Sequence, residues 1–221
     1  RAGSPRSSRR RGGWARGDKG HRALGNKRDY WLGKGYAVAS TNYRLLPDAA
    51  PLAQAGDVAS AIAFAQRKAP EWGVDPALVV LMGHSAGAHL VALLGSKPAL
   101  LAQAGARRPL GVVALDSAAM DVAAIMQAPR HPDLYDRAFG TDPQYWNAAS
   151  PTRQVGPDAL PLLLVCSSLR RDACPQAQEL ARKAKSLDLA AEVLPQPLRH
   201  GEINESFFDN LAEQFPRREL E

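Results

Sequence analysis

The run Leu78-Val-Val-Leu-Met-Gly-His-Ser-Ala-Gly-Ala-His-Leu-Val-Ala-Leu-Leu94 constrains this chain more than any other stretch. Its first part is an unbroken apolar segment of strand length, and its last part spaces Leu90, Val91, Leu93 and Leu94 at a helical period. Between them stands Gly83-His84-Ser85-Ala86-Gly87. A strand that turns this sharply into a helix lifts the hydroxyl at the apex clear of the backbone. The next amide, on Ala86, then lies at a helix N-terminus, where a developing anion is stabilised. Both flanking glycines are expected to have steric roles, because a strained turn against a close helix leaves no room for a Cβ on either side. Ser85 is therefore a candidate nucleophile, and the alternative is a serine that only caps the helix.

The same strand-then-helix rhythm runs through the rest of the chain. Strands are expected over 36–45, 110–116, 161–166 and 190–194, and helices over 21–32, 52–68, 175–187 and 202–215. Residues 117–159 read as an irregular, cap-like insertion with short helical pieces. Short apolar strands alternating with helices predict an α/β fold with a mostly parallel sheet covered on both faces. At 221 residues, one domain from 14 to 221 suffices.

The net charge of +6 would suggest a polyanion partner until it is located. Arg1, Arg6, Arg9, Arg10, Arg11 and Arg16 all precede the first acidic residue, Asp18, and the remainder of the chain balances 22 basic against 22 acidic groups. Five of these six arginines lie in residues 1–13, a tail rich in arginine, serine, glycine and proline that reads as disordered. Without a basic face behind it, no nucleic-acid partner is expected. No apolar stretch approaches membrane-span length, and no hydrophobic segment follows the N-terminal charges as in a signal peptide. Neither compartment nor oligomeric state is legible.

In sheets of this kind reactive residues gather beyond the carboxyl ends of the strands. Ser85 follows one strand, Asp172 lies in the loop after the 161–166 strand, and His200 follows the last. Acyl transfer needs these types. A serine hydroxyl requires a base with a pKa near neutrality, which imidazole has, and a carboxylate on the far ring nitrogen fixes the tautomer and stabilises the imidazolium. Asp172 is the favoured acid, with Asp116 and Asp121 as alternatives. His84 and His89 are expected to pack or hydrogen-bond rather than react. No zinc spacing is visible, so no metal is expected. Cys166 and Cys174 flank the loop carrying Asp172, and two free thiols are favoured over a disulfide.

These residues resemble the esterase/lipase branch of the α/β-hydrolase superfamily, close to bacterial carboxylesterases of the kynurenine-formamidase-like and feruloyl-esterase-like groups. The likeness is carried by Gly12-Gly-Trp-Ala-Arg-Gly-Asp-Lys19, Asn42-Tyr-Arg-Leu-Leu-Pro47, Gly83-His-Ser-Ala-Gly87, Asp172 and His200-Gly201. It implies an α/β-hydrolase fold and a serine carboxylesterase acting on small acyl or aryl esters through an acyl-enzyme, with no cofactor. It also implies an oxyanion hole made by Gly12, Gly13 and Ala86. One departure stands out. Such enzymes carry a strand ending in His-Gly-Gly-Gly-Trp, whereas here Arg10 and Arg11 precede Gly12 and Gly13. The resemblance therefore implies a chain lacking the N-terminal strands, with an altered oxyanion loop and impaired activity. An arylformamidase with the same triad and a non-catalytic hydrolase-like fragment are the alternatives.

Overall fold

A computed structural model describes residues 13–20, 24 and 26–207. The expected tail, except Gly13, lies outside these residues, as do Gly12, His21 and the expected closing helix beyond 207. Gly13 itself belongs to a 3-10 turn, Gly13–Ala15, rather than to the tail.

Four strands form one sheet: β1 (Val80–His84), β2 (Gly111–Leu115), β3 (Leu162–Ser167) and β4 (Ala191–Gln196). They lie side by side in chain order, and every pairing is parallel. The helices are α1 (Lys27–Leu32), α2 (Pro51–Lys68), α3 (Ala86–Ser96), α4 (Ala99–Gln103), α5 (Val122–Gln127), α6 (Asp133–Phe139), α7 (Pro143–Ala148), α8 (Pro151–Gln154), α9 (Ala173–Lys185) and α10 (His200–Glu205). Parallel neighbours need crossovers, and α3–α4, α5–α8 and α9 supply them in turn. The arrangement is the α/β-hydrolase type expected from the alternation.

The apolar run that set the reading becomes β1 and α3. A helix that is apolar on every side must be enclosed on every side. Accordingly α3 packs on β1 and β2 beneath it and on α2 and α8 beside it, with Leu90, Leu93 and Leu94 fully buried. Gly95 lets it sit down on the sheet, since a Cβ there would stand 2.6 Å from Val112 Cγ2.

The strand expected over 36–45 is not formed; these residues belong to no strand and are mostly exposed. The β-prone pattern was real, but a strand needs a partner to satisfy its amides and carbonyls. Among the described residues, β1 is the edge of the sheet on that side, with Val80 49% exposed. The segment instead works as a brace. The Asn42 side chain accepts the Lys19 N–H at 2.6 Å, Leu46 N–H donates to the Trp14 carbonyl at 3.1 Å, and the Arg44 guanidinium forks onto Asp57 of α2.

Cys166 and Cys174 form a disulfide, contrary to the expectation of free thiols. The cause is local geometry: the end of β3 and the first turn of α9 bring the two Cα atoms within 5.1 Å. Closing so short a loop stabilises the fold by roughly 2–3 kcal/mol through chain entropy. A reduced sample should therefore melt roughly 5–10 °C below the oxidised one. Equal melting temperatures with and without a strong reductant, recorded by calorimetry, would count against the bridge.

Candidate active site

The turn after β1 is built as the sequence suggested, with one correction. Ser85 has φ 58° and ψ −117°, a backbone conformation that costs an L-residue free energy and persists only when its surroundings impose it. Gly83 makes the turn possible, because a Cβ there would lie 2.2 Å from the Gly87 carbonyl oxygen. Gly87 has no such role. A Cβ at that position meets nothing within 4 Å.

A second turn of the same construction stands beside the first. Asp116 directly follows β2 as Ser85 follows β1, and it too has a positive φ, 54°. The register pairs His84 with Leu115, so the two turns lie level. Each is pinned to the next strand, with Ser85 N–H donating to the Leu115 carbonyl at 2.9 Å and Asp116 N–H to the Val165 carbonyl at 2.8 Å. The third component arrives from beyond β4, where His200 opens α10.

These turns bring three side chains into line. The Ser85 hydroxyl donates to His200 Nε2 at 3.0 Å, and His200 Nδ1–H donates to Asp116 Oδ2 at 2.5 Å. Ser85 makes no side-chain cap bond to α3, so its hydroxyl serves the imidazole and not the helix end. Asp116 is fully buried. Burial alone would raise its pKa, but hydrogen bonds from His200, the Ser167 N–H and Arg170 outweigh it and hold the carboxyl at about 2. The group is thus an anion throughout the neutral range.

Asp172, the acid favoured from the sequence, is not at the imidazole. It lies five residues past the end of β3, 60% exposed, and its carboxylate pairs with Arg170. The loop after β3 turns outward to start α9 before Asp172 is reached, whereas Asp116 is delivered directly by a central strand. The sequence did carry a signal for Asp116, an aspartate ending the apolar run 110–115, and it was among the alternatives. Asp121, the other alternative, caps α5 and pairs with Arg153.

The remaining histidines among the described residues are structural. His84 Nε2–H donates to the His200 carbonyl at 2.8 Å, with the two rings 4.5 Å apart. Burial, with His200 nearby, pushes its pKa down to about 4, so it braces the imidazole as a neutral ring. His89 is wholly buried and donates from Nε2 to the Ala149 carbonyl while Nδ1 accepts the Trp14 indole N–H at 3.3 Å. Burial likewise lowers it to about 4. His131 pairs with Asp136. Two contacts fix α10 itself: Glu202 accepts the Arg199 N–H at 2.7 Å, and Lys27 Nζ donates to the carbonyl and side chain of Asn204.

The glycine turn near the expected oxyanion hole is anchored through Trp14. Trp14 is buried against His89, Tyr135 and Phe139, and its carbonyl accepts from Leu46 N–H and from the buried Gln54 side chain. Since His89 is one helical turn beyond Ser85 on α3, the anchor sets the Gly13 turn alongside the N-terminal end of that helix. Met120, Met126 and Phe139 of the 117–159 segment are core residues rather than the lining of an open pocket.

The BD-FAE family model matches residues 10–179. The chain belongs to the BD-FAE family. Solved structures share its fold at low identity. A truncated form of a carbohydrate esterase from gut microbiota aligns with TM-score 0.69 and 20% identity over 89% of this chain and 82% of its own. Esterase B from Lactobacillus rhamnosis, in an inhibited form, gives 0.70 and 24% over 92% and 75%. Carboxyl esterase 2 from the mycorrhizal fungus Tuber melanosporum gives 0.71 and 21% over 91% and 69%. No curated protein matches the chain. Within the BD-FAE match lie Ser85 and both aspartates, while His200 falls beyond it.

Proposed function

We propose that this BD-FAE member hydrolyses carboxylic esters through an acyl-enzyme on Ser85, with His200 as the proton carrier and Asp116 as the carboxylate behind it. The observation that carries this reading is the continuous relay from the Ser85 hydroxyl through both ring nitrogens of His200 to the buried Asp116. The structural neighbours, a carbohydrate esterase, an esterase B and a carboxyl esterase 2, support it.

On this reading each residue has a step. Ser85 Oγ attacks the ester carbonyl as its proton passes to His200 Nε2, and Asp116 stabilises the resulting imidazolium. The Ala86 N–H and the turn at Gly13 supply donors to the tetrahedral oxyanion. Gly12, the other expected donor, lies outside the described residues. His200 then returns the proton to the departing alkoxide. Water, deprotonated by the same nitrogen, attacks the acyl-enzyme and releases the acid and Ser85.

Small acyl or aryl esters fit best. The segment between β2 and β3 forms helices of four to seven residues whose larger side chains are buried, as Met126 and Phe139 are, or packed partly against the core, as Tyr135, Tyr145 and Trp146 are, leaving little to enclose a long chain. Hydrolysis of p-nitrophenyl acetate and butyrate should exceed that of the palmitate by at least about a hundredfold in kcat/KM, the equivalent of roughly 3 kcal/mol of lost transition-state contact. A preference for palmitate overturns the substrate reading, and failure to cleave any of the three overturns the esterase reading.

A further inference from the structure

Arg170 touches the relay directly and has no part in the steps above. Its Nη1 donates to Asp116 Oδ2 at 2.8 Å, to the atom that also accepts from His200. The same nitrogen lies 3.0 Å from His200 Nδ1. Both nitrogens carry hydrogens directed at Asp116, so this approach is a contact between two donors sharing one acceptor. The far edge of the guanidinium is held by Asp172, through Nη2 at 3.1 Å and Nε at 3.1 Å.

We propose that Arg170 is a positioning residue for the site, clamping the Asp116 carboxylate in the orientation His200 requires while Asp172 steadies the guanidinium from outside. The proposal rests on the hydrolytic reading of Ser85, His200 and Asp116. It gives Asp172 a place in the site without making it the partner of His200. The clamp has a rigid base: Arg170 and Ser167, which supply two of the three donors to Asp116, both lie in the loop closed by the Cys166–Cys174 bridge. Ser167 Oγ in turn donates to the Leu198 carbonyl, two residues before His200.

The test compares Arg170→Met and Arg170→Gln, which remove the guanidinium, with Arg170→Lys, which keeps the charge but loses the two-edged fork. In both neutral variants kcat should fall about tenfold with KM little changed, because the clamp acts on the relay and not on substrate binding. Arg170→Lys should recover part of that loss. The His200 Nδ1–H resonance, followed by NMR, should move upfield or broaden in the neutral variants as its hydrogen bond to Asp116 loosens. A kcat and an Nδ1–H resonance identical to the parent's in a folded Met or Gln variant overturn the proposal. A parent that cleaves no ester instead defeats the reading of the site, and the Nδ1–H resonance still decides whether the clamp exists.

Discussion

Asp116→Asn is expected to lower kcat by about 10⁴-fold, because an amide in that position selects the wrong imidazole tautomer and cannot stabilise the imidazolium. Asp172→Asn is expected to cost no more than about tenfold, through loosening of the Arg170 guanidinium alone. The contrast is large because the two carboxylates occupy different positions. One is fully buried and accepts the His200 Nδ1–H, and the other is mostly exposed and touches only the arginine. Steady-state kinetics on p-nitrophenyl acetate with both variants settle the assignment. Equal losses, or a larger loss at Asp172, would contradict it.

The second large effect concerns the turn itself. Gly83→Ala should destabilise the protein by at least about 3 kcal/mol, since its methyl would have to displace the Gly87 backbone from 2.2 Å. No side chain is available to yield, and any backbone shift distorts the Ser85 conformation as well. Gly87→Ala should instead stabilise α3 by about 0.5–1 kcal/mol, because the position is helical and open. Urea unfolding of the two variants measures both. The symmetric expectation from the sequence, that both glycines exclude a Cβ, predicts that both variants are damaged.

What the sequence disclosed and what it hid follow a physical division. Local signals were legible. The apolar run into Gly-x-Ser-x-Gly specified β1, the Ser85 turn and α3, and the apolar segments near 110, 161 and 190 became β2, β3 and β4 within one or two residues. His200 was found because it follows the last strand. The misreadings involve relations between distant segments. Residues 36–45 have strand-forming composition, but no strand among those described lies alongside to complete the ladder. Asp116 carries no flanking glycine to mark its turn as Gly83 marks that of Ser85, so only the register of β1 against β2 reveals that the two turns are level. The disulfide depends on how tightly the loop after β3 folds back, and spacing alone does not specify that.

Trp14 is held by His89, Gln54 and Leu46, and these contacts fix the exit of the turn at Gly13. Under the proposed hydrolysis that turn supplies a donor to the oxyanion.

Labelling with a fluorophosphonate probe tests the central claim most directly, because it reports an assembled nucleophile without requiring the natural ester. Intact-protein mass spectrometry should show a single adduct on the parent, mapped by peptide analysis to Ser85 and absent from Ser85→Ala and His200→Ala. A folded parent that stays unlabelled, or an adduct that persists in Ser85→Ala, would contradict the account.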